Sequence, residues 1–289
     1  MTEDLQRTHD IQVRTLDRAG IQTAIEWARR EGWNPGLADL DAFAAVDPRG
    51  FLGLFRDGQL ASTLSAVRYG PGFGFVGFYI CEPSLRGQGL GMRLWEHALH
   101  GLDGRCIGLD GVLAQQDNYA KSGFVLAHRN VRYGGPCPSV QAPNHPSIRP
   151  LTGADTPAVT ELEARLRVFP APRERFLAHW LSAPSQAVGW AEDGGLKGLG
   201  VIRPCVEGHK IGPLFASDAA VAEAIVLTLL SRVSVGPVFL DVPEVHLDAV
   251  ALARSLGLQP SFETARMYRG PDPGMDLSRV FGITSFELG

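Results

Sequence analysis

A chain of 289 residues is long enough for two ordinary domains, each able to bury its own core. Apolar residues make up 45% and charged residues 20%, which excludes a disordered or fibrous chain. The net charge of −4, with no Lys/Arg run, excludes a broad basic field for nucleic acid. No apolar run approaches the roughly 20 residues that span a bilayer, since even Ala219 to Leu230 is too short and carries Glu223. The polar start MTEDLQRTHD has no apolar stretch behind a basic one, so a cytoplasmic protein without membrane contact is expected. Cys81, Cys106, Cys137 and Cys205 are scattered and His209 and His246 stand alone, so reduced thiols and no metal site are expected.

In chain order, VRTLDRAGIQTAIEWARREG reads as a strand, a turn and a helix ending near Gly32. The following EGWNPG is a loop, where Trp33 is placed to wall an acceptor pocket or to cap the helix end. Phe78 to Trp95, FYICEPSLRGQGLGMRLW, then puts a short apolar run and a proline turn before three alternate glycines. A helix follows, with Leu90, Leu94 and Ala98 on one face. Glycines at 87, 89 and 91 leave the backbone bare where strand hands over to helix. Several amide hydrogens and the positive end of the helix dipole thereby converge on one anion, with Arg86 beside them. A Walker loop is excluded because no Gly-Lys-Ser/Thr follows, and a dinucleotide fingerprint is weak because the third glycine stands at the wrong spacing.

This segment resembles motif A of the GCN5-related N-acetyltransferases, Arg/Gln-x-x-Gly-x-Gly/Ala, met by Arg86, Gly89 and Gly91. The resemblance implies an α/β fold built on a mixed, mostly antiparallel twisted sheet flanked by helices. It also implies acetyl-CoA as co-substrate, its pyrophosphate held by Arg86, Gly87, Gln88, Gly89, Leu90, Gly91 and Met92, with Cys81 and Asn118 as further coenzyme contacts. NYAKSGF, from Asn118 to Phe124, resembles the family's Tyr-x-x-x-Gly-Phe segment and puts Tyr119 on the position of the general acid that protonates the leaving thiolate. A phenol suits that step, because its pKa of about 10 is close to that of an alkyl thiol. The base that deprotonates the incoming amine is left between Glu82, Asp110 and a water-mediated path.

At Gly134 to Pro150 five prolines interrupt all periodicity, which reads as an extended linker. The expected domains are therefore residues 1–135, the linker 136–147, and residues 148–289. After the linker, IRPLTGADTPAVTELEARL repeats the opening strand, turn and helix, with Thr152 or Asp155 as N-cap. The echo extends further: Asp110 to Asp241, Gly123 to Gly257 and Tyr133 to Tyr268 are 131, 134 and 135 residues apart, as in a duplicated domain. The copy is chemically poorer. Asp218 heads its helix where the first half has glycines, and Ala253 stands in the place of Tyr119, so one coenzyme per chain is expected.

On these grounds the chain is expected to be a tandem-domain N-acetyltransferase acting on a small primary amine in a ternary complex, as monomer or homodimer. A protein amine, and a coenzyme sensor without turnover, are the alternatives. Trp33 and Arg266 are the candidate acceptor-binding residues, an arginine being suited to clamp a carboxylate. The terminal VFGITSFELG is too apolar for a free tail and should pair into a sheet or dock between the halves.

Overall fold

The computed structural model describes residues 9–233 and 235–289, so the reading of the first eight residues lies outside it. The first half runs β1 (Ile11–Thr15), α1 (Arg18–Arg30), α2 (Asp39–Val46), β2 (Phe51–Arg56), β3 (Gln59–Tyr69), β4 (Phe73–Cys81), α3 (Leu90–His100), β5 (Cys106–Val112), α4 (Gln116–Lys121) and β6 (Val125–Pro136). The second half repeats this order: β7 (Ile148–Leu151), α5 (Thr156–Leu166), α6 (Glu174–Trp180), β8 (Gln186–Glu192), β9 (Gly195–Pro204), β10 (His209–Ala216), α7 (Ala219–Leu230), β11 (Pro237–Pro243), α8 (Leu247–Ser255) and β12 (Gln259–Arg269). One further strand follows, β13 (Val280–Gly282). Residues 137–147 between β6 and β7 contain no helix or strand.

Local chemistry accounts for the helices that frame the site. Asp17 caps α1 by accepting from the Gly20 amide at 2.8 Å, and α1 buries Ile21, Ala24, Ile25 and Ala28 on one face. Helix α3 buries Leu90, Leu94 and Ala98 at helical spacing. Removing a leucine such as Leu94 from water contributes about 2 kcal/mol.

Among the described residues the strands form one sheet in the order β1-β2-β3-β4-β5-β12-β6-β11-β10-β9-β8-β7, with β13 beside β10. The order is symmetric about the β12/β6 pair, and at that centre the two halves exchange their last strands. β12 of the second half pairs with β5 of the first, and β6 of the first pairs with β11 of the second. This differs from two separate sheets divided at residue 135, because β6 precedes the linker yet lies among second-half strands. The helical layer is shared too: Phe43 of α2 stacks on Trp180 of α6, with ring centroids 6.0 Å apart.

The site is set by a parting of strands. β4 and β5 pair in parallel only from Phe73 to Val76 and Cys106 to Leu109. Beyond that a bulge sets Phe78 and Tyr79 opposite Leu64 alone, with Phe78 at φ +48°, and re-aims the end of β4. A wedge opens between the C-terminal ends of β4 and β5, directly below the N-terminus of α3.

Candidate active site

A cavity of about 600 Å³ occupies this wedge. At one end lies the start of α3. Gly87 and Gly89 adopt φ of +77° and +75°, a left-handed backbone that L side chains rarely take, and they turn the chain into the helix. Gly89 is the N-cap and no side chain among the described residues caps the helix, so the first amides of α3 have no side-chain partner there. The second half supplies the control: at the equivalent helix α7, the Asp218 carboxylate accepts from the Val221 amide at 3.0 Å and occupies such a position itself.

Gly87, Gly89, Leu90, Gly91 and Met92 line the cavity, as do Cys81, Arg86, Asn118, Tyr119, Asp110 and Trp33. Arg86 reaches across the mouth to Glu31 at 2.5 Å and to the Cys81 carbonyl at 3.0 Å. That ion pair is about half exposed and cheap to exchange for a ligand phosphate. The Gln88 side chain does not line the cavity; it accepts from Arg56 at 2.6 Å outside it. Cys81 is half-buried and burial pushes its thiol up, which disfavours the thiolate that an acyl carrier needs.

Tyr119 on α4 is 9% exposed and packs its ring on Trp95, with centroids 5.4 Å apart. Burial, then the neighbouring Tyr79, push its phenol up to about 12, so it is held as the proton-bearing form. Tyr79 belongs to the short apolar run that precedes the proline turn. It lines the cavity from β4, packs at a tilt against Trp95 with ring centroids 5.3 Å apart, and is likewise pushed up to about 12 by burial.

Three sequence assignments are corrected. Glu82 does not line the cavity: it heads the short turn at Pro83–Leu85, its amide bonded to the Ala61 carbonyl at 3.0 Å. Asp110 lines the cavity, but Arg266 donates to its two carboxylate oxygens at 2.8 and 2.6 Å and Asn130 donates at 2.8 Å, which leaves it poorly suited as a base. Arg266 itself is 4% exposed and outside the cavity lining. Burial opposes its charge and the Asp110 carboxylate more than restores it, so it is not free to clamp an acceptor.

The far end of the cavity is built by residues that motif reading missed. Arg132 comes from β6, Phe262 and Thr264 from β12, and Phe286 and Glu287 from the C-terminal tail; Trp33 lines the cavity with them, its carbonyl accepting from Arg132 at 3.3 Å. Phe262 and Phe286 lie 5.9 Å apart, and the Arg132 guanidinium lies over Phe286 at 4.8 Å while pairing with Asp241. The tail combines both expected arrangements. β13 pairs with β10 and Ile283 donates to the Asp241 carbonyl of β11, so the tail fills the second half's own wedge. It then crosses to the first half, where Tyr69 donates to the Leu288 carbonyl at 2.9 Å; every residue from Val280 to Gly289 is buried. Gly77 on β4 admits it: a Cβ there would stand 2.0 Å from the Glu287 carbonyl oxygen. The one sequence signal was the apolar character of the tail, within which Glu287 is the single charged residue.

Comparison with known proteins agrees with this architecture. Residues 18–124 match the acetyltransferase (GNAT) family model and residues 159–282 a second model, acetyltransferase (GNAT) domain. The chain is 33% identical over 273 residues to the holothin acyltransferase of Pseudoalteromonas sp. (strain SANK 73390), covering 93% of this chain and 91% of the relative. A putative acetyltransferase from Pyrococcus horikoshii superposes with a TM-score of 0.81 at 20% identity, over 100% of this chain and 99% of that one. A tandem GNAT protein from the clavulanic acid biosynthesis pathway does so with a TM-score of 0.62 at 15% identity, over 91% and 100%. With two family domains in one sheet and a full-length acyltransferase relative, the chain belongs to the GNAT family as a tandem-domain acyltransferase.

Proposed function

We propose that the protein moves an acetyl group from acetyl-CoA to the primary amine of a small metabolite by direct attack, with the first half as the catalytic unit. One observation carries this reading: the uncapped start of α3 and the protonated phenol of Tyr119 open into the same cavity, between strands that have parted. The amides of Leu90 to Met92 and the Arg86 guanidinium hold the pyrophosphate at the helix N-terminus. The thioester then lies along the β4/β5 wedge, where the amine nitrogen attacks its carbonyl carbon. As the carbon–sulfur bond breaks, Tyr119 gives its proton to the leaving sulfur and is reprotonated from the nitrogen by way of solvent. An acceptor end walled by Phe262, Phe286 and Trp33 favours a small molecule over a protein tail. Holothin is one acceptor to try, because the curated relative is named for it.

Calorimetric titration with acetyl-CoA tests the coenzyme site. One site per chain is expected, lost in Gly89→Val, where the left-handed backbone adds strain of about 1–2 kcal/mol. Thiol release is then followed with small primary amines, holothin included. No binding in the wild type overturns the reading, and binding without turnover on any amine supports a sensor instead.

A further inference from the structure

The acceptor end of the cavity contains a carboxylate with no assigned task. Glu287, in the tail, is 4% exposed and lines the cavity, and its Oε2 is buried without a hydrogen-bond partner among the described residues. Among the described residues three carboxylates line this cavity, and the other two are engaged: Asp110 by Arg266 and Asn130, and Glu31 by Arg86 at the exposed mouth. A buried acid left without a partner is costly unless a ligand completes it. Thr264, from β12, also lines the cavity, and its Oγ1 is buried without a hydrogen-bond partner among the described residues.

The charges around Glu287 sharpen what would complete it. Arg132 on β6, Arg203 on β9 and Lys210 on β10 all feel its charge. Arg132 is paired with Asp241 and Arg203 with Asp39. Lys210 donates to the Trp33 carbonyl at 3.1 Å, and burial followed by Arg132 draws its ammonium below the usual value, Glu287 opposing. Cys205, beside Lys210 and Arg203, is pushed up by burial and stays a neutral thiol. Both arginines are matched by aspartates, and among the described residues no ion pair joins Lys210 to Glu287, so Glu287 remains a cavity-lining carboxylate that an incoming ammonium would complement.

We infer that Glu287 receives the ammonium group of the acceptor and takes its proton, so that the tail of the second half completes the active site of the first. This rests on the acyl-transfer reading above and names the acceptor class: a primary ammonium on a flat apolar body that fits between Phe262, Phe286 and Trp33. The nitrogen–hydrogen bond breaks toward a Glu287 oxygen, leaving a neutral carboxyl and a neutral amine. The amine lone pair then forms the carbon–nitrogen bond to the thioester carbonyl. The proton on Glu287 leaves to solvent when the product amide, which carries no charge, departs.

The test compares wild type, Glu287→Gln and Glu287→Asp, with 2-phenylethylamine, tryptamine and holothin as acceptors and thiol release as readout, beside calorimetry with acetyl-CoA. For the acceptor the wild type uses best, Glu287→Gln should leave acetyl-CoA affinity within about twofold and lower kcat/KM at pH 7 by about 10²-fold, the size of a lost acid–base group. For an alkylamine that deficit should narrow as pH rises toward the amine's own pKa of about 10, where the acceptor arrives already neutral. Glu287→Asp should recover part of the rate. Unchanged kcat/KM in Glu287→Gln overturns the assignment, as does a loss that is constant with pH or accompanied by equal loss of acetyl-CoA binding, which marks a structural role. A wild type that releases no thiol with any amine overturns the acyl-transfer reading, and this inference falls with it.

Discussion

Arg266 lies directly opposite Asp110 across the β12/β5 pair and donates to both its carboxylate oxygens, and the arrangement is reciprocated by Arg132 opposite Asp241 across β6/β11. Each half thus supplies the arginine that neutralises the other's buried aspartate. The strand exchange is locked by charge as well as by backbone pairing. Replacing Arg266 by Met strands Asp110 in the interior and should cost about 3–5 kcal/mol, whereas Asp110→Leu with Arg266→Met should restore much of the loss. Urea unfolding of the single and double variants measures both. A single variant as stable as wild type would mean that the pair does not hold the exchanged strands.

Tyr119→Phe should keep acetyl-CoA binding and lower turnover by about 10²-fold, as expected when a general acid is removed. The pH profile adds a second criterion. With its phenol pushed up to about 12, Tyr119 keeps its proton throughout the neutral and mildly alkaline range, so kcat should show no alkaline fall from this group below about pH 10. The same shift bears on stability. The contribution is complete below the unfolded value of about 10 and is lost as pH rises through the folded value. A kcat that declines with an apparent pKa of 8 or 9 would remove Tyr119 as the acid.

The bare, uncapped start of α3 was legible because its causes are local: alternate glycines, a preceding strand and an amphipathic helix all fall within Phe78 to Trp95, and each imposes its geometry on near neighbours. The tyrosine on α4 was legible for the same reason. The exchange of β6 and β12 was not, since both are long strands of similar pattern and nothing within either states which neighbour it joins. That choice also decides the fate of Asp110 and Arg266, 156 residues apart in the chain. Read singly, one is a candidate base and the other a candidate clamp; read together they neutralise each other. Glu287 was hidden similarly, because its position depends on Gly77, far away on β4, letting the tail pass.

His128 gives the fold an acid limit. It is 6% exposed on β6, and burial, then the adjacent Arg266, hold its imidazole down at about 3. The folded state refuses a proton that the unfolded chain accepts below about 6.5, so stability present above that value drains as pH falls toward 3. The slope is at most about 1.4 kcal/mol per unit. His128→Gln should flatten the dependence of stability on pH between 6.5 and 4, measured by urea midpoints. An unchanged slope would assign the acid sensitivity to other groups.

The number of coenzyme sites also separates two reasons for expecting the second half to bind none. If the Asp218 cap alone blocked its helix, Asp218→Gly would free the first amides of α7 and create a second site, since a glycine cap costs only a few tenths of a kcal/mol relative to aspartate. The wedge below that helix, however, is already filled: β13 pairs with β10, and Ile283 bonds to β11 where a thioester would have to lie. Asp218→Gly should therefore leave calorimetric stoichiometry at one acetyl-CoA per chain. The same tail that closes the second wedge carries Glu287 to the first, so the two halves are unequal because one segment serves both. A second site in Asp218→Gly would show that β13 yields to the ligand and that the cap alone silenced this half.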